Sequence, residues 1–221
     1  MGKRVMRTDV WQALHSDLTP GVQPDQETYA APMGTHHLLL PIRALADGDR
    51  GVASMILNQA SFSVLDAIAD RLSDQLRAHA PDVIVAVPTL GLPLAEAVAR
   101  RLGHTRLVPL GTSRKFWYQE DLSVPLSSIT SPGQGKRLYL DPRMKPLLTG
   151  RIAIIDDVLS TGTSMAAVLA LMDKAGILPS VIGAAMLQGS AWRNKVAGIT
   201  VEGAFSTPIL RRTDAGGWRA E

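Results

Sequence analysis

The chain has 221 residues, 46% of them apolar and 19% charged, which is enough for a sizeable core and too apolar for a disordered chain. It has no cysteine, which excludes a disulfide framework, a thiol nucleophile and thiolate metal sites. The formal net charge of +3 comes from 23 Lys and Arg against 20 Asp and Glu; it is too mild to argue for nucleic acid and suits a small anionic ligand.

Residues 1–60 carry a short helix pattern around Val5–Leu14 and a strand pattern around His36–Ile42. No signal-peptide stretch opens the chain, Met6 stands where N-myristoylation wants Ser or Thr, and no apolar run reaches the roughly 18 residues of a membrane span. This region is expected to be an appendage packed on a sheet. His36 and His37 are strand neighbours that face opposite ways, so they are not expected to share a metal ion. Residues 61–79 place Val64, Leu65, Ile68, Leu72 and Leu76 on one helix face, with Pro81 beyond its end.

Strands and helices then alternate. Val83–Val87 is a β-branched run that reads as a buried strand, stopped by Pro88. Pro93 opens a helix through Leu94, Val98 and Leu102, and Gly103 suits its C-terminal cap. Leu107–Leu110 is the next strand. Gly111–Lys136 lacks periodicity and carries prolines and several serines; a segment this long reads as a lid over an active site, as a β-hairpin arm, or as both at once. Ile152–Ile155 is a second buried strand, followed by a helix through Met165, Val168, Leu169 and Met172 that ends near Lys174 and Gly176. Val181–Leu187 is a further strand. This order predicts an α/β fold, an open and mostly parallel twisted sheet with helices on both faces. Residues after Thr207 are polar and Gly-rich and are expected to fray, with Arg211–Arg212 in a solvated tail.

The chemistry concentrates in residues 152–164. A buried strand ends in Asp156 and Asp157, a turn of Val158, Leu159, Ser160, Thr161 and Gly162 follows, and Thr163 and Ser164 start a helix. Ligands of open parallel sheets bind beyond the carboxyl ends of the strands. Gly162 lets the backbone curl, while Thr161, Thr163, Ser164 and the helix N-terminus offer donors, so the turn can cradle a phosphate. Paired carboxylates accept hydrogen bonds from hydroxyls, which suits a ribose diol, and they can assist a magnesium ion. A bland alternative is an N-capping turn with acids at a sheet edge, which would leave two buried acids without partners.

A second segment, Pro88-Thr89-Leu90-Gly91, also lies between a strand and a helix, and Gly91 permits close approach of backbone to an anion. In the long segment, Arg114-Lys115-Phe116-Trp117-Tyr118 can neutralise an anion from a lid, or can be a solvated basic turn with a docked aromatic cluster. Trp192 can stack on a base or anchor packing.

The stretch from Ile152 to Ser164 resembles the signature of type I phosphoribosyltransferases. Arg114–Lys115, Leu138–Asp141 and Leu147–Arg151 are similar to segments of the adenine-type branch, and the likeness runs from about Val83 to Gly189. It implies a hood formed by residues 1–60, a core over 61–207 with a flexible loop at 111–136, and a tail at 208–221. It further implies that Asp156, Asp157, Val158, Leu159, Ser160, Thr161, Gly162, Thr163 and Ser164 bind phosphoribosyl pyrophosphate (PRPP), Asp156 and Asp157 holding its ribose and Thr161–Ser164 its 5′-phosphate, that Thr89, Leu90 and Gly91 form a pyrophosphate loop, and that Arg114 and Lys115 close over the leaving group. The implied activity is a Mg2+-assisted transfer to a nucleobase, expected to be a purine, by a cytoplasmic homodimer in nucleotide salvage. A PRPP-sensing regulator without turnover is the rival reading. Ser160 stands where hypoxanthine-guanine enzymes usually have an acid. Ser128–Pro132 stands where adenine-type enzymes usually carry a Glu, with Glu120 and Asp121 as loop acids nearby, so no base-reading residue is assigned.

Overall fold

The chain alternates short extended runs with polar turns before its first long helix. In chain order the computed structural model, which describes residues 7–126 and 136–221, has β1 (Leu14–His15), β2 (Gly21–Val22), β3 (Thr28–Met33), β4 (His36–Ala44), β5 (Arg50–Ala53), α1 (Phe62–Arg77), β6 (Val83–Ala86), α2 (Gly91–Arg101) and β7 (Val108–Pro109). It continues with β8 (Ser123–Pro125), β9 (Arg137–Tyr139), β10 (Ile152–Leu159), α3 (Thr163–Lys174), β11 (Val181–Gln188), β12 (Thr200–Thr207), β13 (Ile209–Arg212) and β14 (Trp218–Ala220). Two compact units result, Met1–Ala67 with Phe205–Glu221, and Ile68–Ala204.

The first unit is an antiparallel sheet ordered β14-β13-β5-β4-β3-β2, with β1 also paired to β4. Gly34, at φ +67°, turns β3 into β4. The Asp47 carboxylate accepts the N–H groups of Asp49 and Arg50 and so turns β4 into β5. Residues 38–41 of β4 are buried on both faces, with Leu38 and Leu40 on one side and Leu39 on the other.

Two expectations fail in this unit. The helix around Val5–Leu14 is absent over the described residues 7–13, which are turns and bends. The segment is bound to other strands instead: the Trp11 N–H donates to the Leu39 carbonyl, its indole to the Ser54 carbonyl at 3.0 Å, and Arg7 pairs with Asp9 and Asp25. The tail at 208–221 is not a tail. β13 pairs with β5 and β14 with β13, both antiparallel. Leu210 is fully buried, Arg212 stacks over Trp218 at 4.7 Å, and Arg211 pairs with Glu221 at 2.7 Å. Backbone pairing holds these strands, so their polar composition concealed them.

The second unit carries the sheet β12-β11-β10-β6-β7. β10 runs parallel to both β6 and β11, and β6 runs parallel to β7. Neighbouring residues of β10 face opposite ways. Ile154 joins Met165, Val168 and Met172 of α3 in the core cluster. Ile155 faces the other side, where a Cβ on Gly183 would meet Ile155 Cδ1 at 2.8 Å and the Leu76 and Leu72 methyls of α1 at 3.3 and 3.4 Å. Helices thus cover both faces, as α/β parallel sheets demand. The expected elements here are present, with α2 starting two residues before Pro93. Proline is accommodated there because the first-turn N–H groups have no intrahelical acceptor. The 111–136 segment belongs to an arm in which β8 pairs antiparallel with β9, just beyond the segment, with Ser123 opposite Tyr139. Ser128–Pro132 lies outside the described residues. None of the described helices is long and apolar enough to cross a membrane.

Candidate functional site

β6 and β10 run in register from Val83 opposite Ile152 to Ala86 opposite Ile155, so both strands deliver their following residues to one edge. The Val87 N–H donates to the Ile155 carbonyl at 3.0 Å and continues the pairing. Asp156 comes next on β10, opposite Ala184 of β11. It is only 6% exposed, and Asp157 is half-buried. The Asp157 N–H donates to Asp156 Oδ1 at 2.8 Å. Burial pushes the Asp156 carboxyl well above the ordinary aspartate range, with the Asp157 charge adding to the effect, and burial also raises Asp157. Such a pair is poised to gain from a cation or a set of hydroxyl donors.

The turn after β10 is shaped by Gly162, which sits in the left-handed region at φ +75°. A Cβ there would lie 2.9 Å from Lys195 Cβ and 3.0 Å from Trp192 Cα, so the turn rests directly on residues 191–195. Trp192 is buried and its indole donates to the Gly189 carbonyl at 3.1 Å, which makes it the packing anchor of the two readings. The Thr161 and Thr163 hydroxyls are 3.2 Å apart, and the Ala166 N–H donates to the Gly162 carbonyl to begin α3. The first-turn N–H groups of α3 and the hydroxyls of the turn gather at the end of β10, an arrangement suited to an anion. Leu159 is buried in the core cluster, so it can serve a ligand only through its backbone.

The second loop reaches the same place. Gly91 is the first residue of α2, and a Cβ on it would lie 3.0 Å from Asp156 Cα and 3.1 Å from both Asp156 Oδ1 and the Ile155 carbonyl. No side chain fits there without displacing the acid. Thr89 is exposed beside it, and the Pro88–Thr89 peptide is cis. The two loops singled out in the sequence therefore converge on Asp156.

Arg114 and Lys115 lie on the arm and are exposed. Arg114 is 3.8 Å from Glu120, and the Tyr118 N–H donates to the Lys115 carbonyl. Their described contacts are local to the arm, and none joins them to the Asp156–Ser164 turn. Glu120 also pairs with Arg137 at 2.8 Å, which ties this loop acid to the hairpin. Sequence reasoning missed Gln188. This buried residue ends β11 and accepts the Ser160 hydroxyl at 2.9 Å. Its only sequence signal is its place at the carboxyl end of the strand beside β10.

Residues 52–199 match the phosphoribosyl transferase domain model, which is more than half of the chain, and the protein belongs to that family. It is 35% identical over 135 residues to a hypoxanthine/guanine phosphoribosyltransferase of Methanococcus voltae, covering 61% of this chain and 63% of that protein. It is 33% identical over 103 residues to an orotate phosphoribosyltransferase of Saccharophagus degradans, covering 46% of this chain and 40% of that protein. The chain thus spans less than two thirds of the length of these curated relatives. Among solved structures, the adenine phosphoribosyltransferase of Thermoanaerobacter pseudethanolicus has a TM-score of 0.58 at 18% identity, over 76% of this chain and 95% of that one. The Giardia lamblia enzyme complexed with 9-deazaadenine has a TM-score of 0.57 at 20% identity, over 71% and 86%. These two likenesses are of fold.

Proposed function

We propose that this protein transfers the 5-phosphoribosyl group of PRPP to a purine nucleobase, releasing pyrophosphate. The observation that carries the reading is the contact between Gly91 and Asp156, which sets an anion-compatible loop against a buried acid pair and a helix N-terminus. Substrate, in this reading, spans the two loops. Thr161–Ser164 receive the 5′-phosphate, and Asp156 and Asp157 accept the ribose hydroxyls. The backbone of Thr89–Gly91 takes the pyrophosphate.

A nitrogen of the base forms a bond to the anomeric carbon as the bond to pyrophosphate breaks. The electron pair leaves with pyrophosphate, and the base gives up its N–H proton to water. Positive charge builds on the ribose ring in passage, so the chain acts by placement and by matched charge. Arg114 and Lys115 are assigned to the charge left on pyrophosphate.

Magnesium fits the donor set, because it takes carboxylate and hydroxyl oxygen and because burial leaves Asp156 in need of a positive neighbour. Asp156 and Asp157 would hold it, with the ribose hydroxyls, and when bound it neutralises phosphate charge. Purine rather than another base is supported by the hypoxanthine/guanine enzymes among the curated relatives.

The test is pyrophosphate release from PRPP and magnesium with adenine, hypoxanthine, guanine, xanthine, uracil and orotate in turn, against hydrolysis without base. The expected result is release above the blank with one or two purines. Release with orotate or uracil alone would overturn the purine assignment, and silence across the panel would overturn the transfer itself.

A further inference from the structure

The arm that carries Arg114 and Lys115 is fastened at one point by an unusually complete set of contacts. Asp141 is buried just after β9, and its carboxylate accepts four donors. The Arg143 backbone N–H (2.9 Å) and Nε (3.1 Å) reach Oδ1, while Arg143 Nη2 (2.6 Å) and the Trp117 indole N–H (3.1 Å) reach Oδ2. The Arg143 guanidinium also lies over the Trp117 ring, 4.5 Å from its centroid. Trp117 is thus gripped through its edge by Asp141 and through its face by Arg143. Hydrogen bonds to an ionised carboxylate and a cation over an indole are each among the stronger contacts of their kind.

The neighbours on either side extend the grip. Phe116 is 96% exposed and meets Trp117 edge-on at 4.8 Å, and Tyr118 packs on Tyr139 at 5.6 Å. The Gly111 and Tyr139 backbones exchange hydrogen bonds of 2.9 and 2.8 Å where the arm leaves the sheet. Arg114 and Lys115 fall between two fixed points, the Gly111 bridge and the Trp117 grip. The side chains are exposed, Arg114 lying 3.8 Å from Glu120, and the backbone that carries them is pinned at both ends.

The geometry points to Trp117, Asp141 and Arg143 as positioning residues that set where Arg114 and Lys115 stand. None of the three touches substrate in this assignment. Their effect passes through the backbone of residues 112–116. The assignment rests on the reading of Arg114 and Lys115 as the groups that meet the leaving pyrophosphate. Arg143 holds the Asp141 carboxyl far below the ordinary aspartate range, so the grip persists well into acid.

The test compares wild type, Trp117→Phe, Asp141→Asn and Arg143→Met in two readouts. Trp117→Phe keeps an aromatic ring for Arg143 while deleting the indole N–H and its five-membered ring, and it leaves the Asp141–Arg143 pair in place, so it guards against a fold defect in the others. Amide hydrogen exchange of residues 112–120, without ligand, should rise about tenfold or more in all three variants, with β10 and α3 unchanged. Turnover should fall about tenfold while the KM for PRPP moves by less than about threefold, the split expected for a group acting on the transition state. Unchanged exchange in the arm overturns the grip, whatever the turnover does. Faster exchange with unchanged turnover, or with KM and turnover altered alike, overturns the positioning role. A wild-type enzyme that releases no pyrophosphate with any base fails the proposed function instead, a result that the exchange data alone cannot produce.

Discussion

Asp156 is the residue on which the account turns, and its cost to the fold is measurable. Burial raises its pKa above the ordinary value of 3.8, so the folded state binds a proton that the unfolded state has already released. Stability therefore falls as pH rises from about 3.8 through the raised folded value, and the loss persists at neutral pH. Asp156→Asn keeps the oxygen that accepts the Asp157 N–H and removes the buried charge. The ligand-free variant should melt higher than wild type at pH 7, by at least about 2 °C, which at this length corresponds to roughly 1 kcal/mol. The gain should shrink as pH falls toward 3.8, the ordinary aspartate value. A variant that melts lower than wild type at pH 7 would mean that Asp156 is a structural acid. A residue kept at a cost to stability is what a binding site predicts.

At the scale of elements, the site depends on how closely α1 lies on the parallel sheet. Gly183 of β11 leaves room for the Leu72 and Leu76 methyls of α1 and for Ile155, the residue before Asp156. Gly183→Val should displace both, with a loss of about 2–3 kcal/mol in denaturant unfolding, because overpacking a core costs that much. A loss under about 0.5 kcal/mol would show that α1 is free to shift without cost.

The same elements explain what was legible. β6, β10 and β11 are buried on both faces, so each writes an unbroken apolar run into the sequence. The antiparallel sheet has two-residue strands in β1 and β2, too short for any periodicity, and β13 and β14 are held by backbone pairing to β5. The phosphate turn could be read because its residues are contiguous from Asp156 to Ser164. The Ser160–Gln188 and Trp117–Asp141 contacts span 28 and 24 residues, and only the fold brings them together.

For the molecule as a whole, the assigned site residues all lie in Ile68–Ala204. The unit Met1–Ala67 with Phe205–Glu221 is an antiparallel sheet closed by the C-terminal strands. A net charge of +3 gives little general pull on an anion, so affinity for a polyphosphate has to come from the local array around Asp156 and Gly162. The most direct test of that claim is calorimetric titration of PRPP with magnesium into wild type and into Asp156→Asn/Asp157→Asn. Wild type should bind, and the double variant should bind at least about 100-fold more weakly with an unchanged far-ultraviolet circular dichroism spectrum, since each lost carboxylate hydrogen bond is worth roughly 1.5–3 kcal/mol. Equal affinity in the two proteins would contradict the assignment of the Asp156–Ser164 turn as the PRPP site.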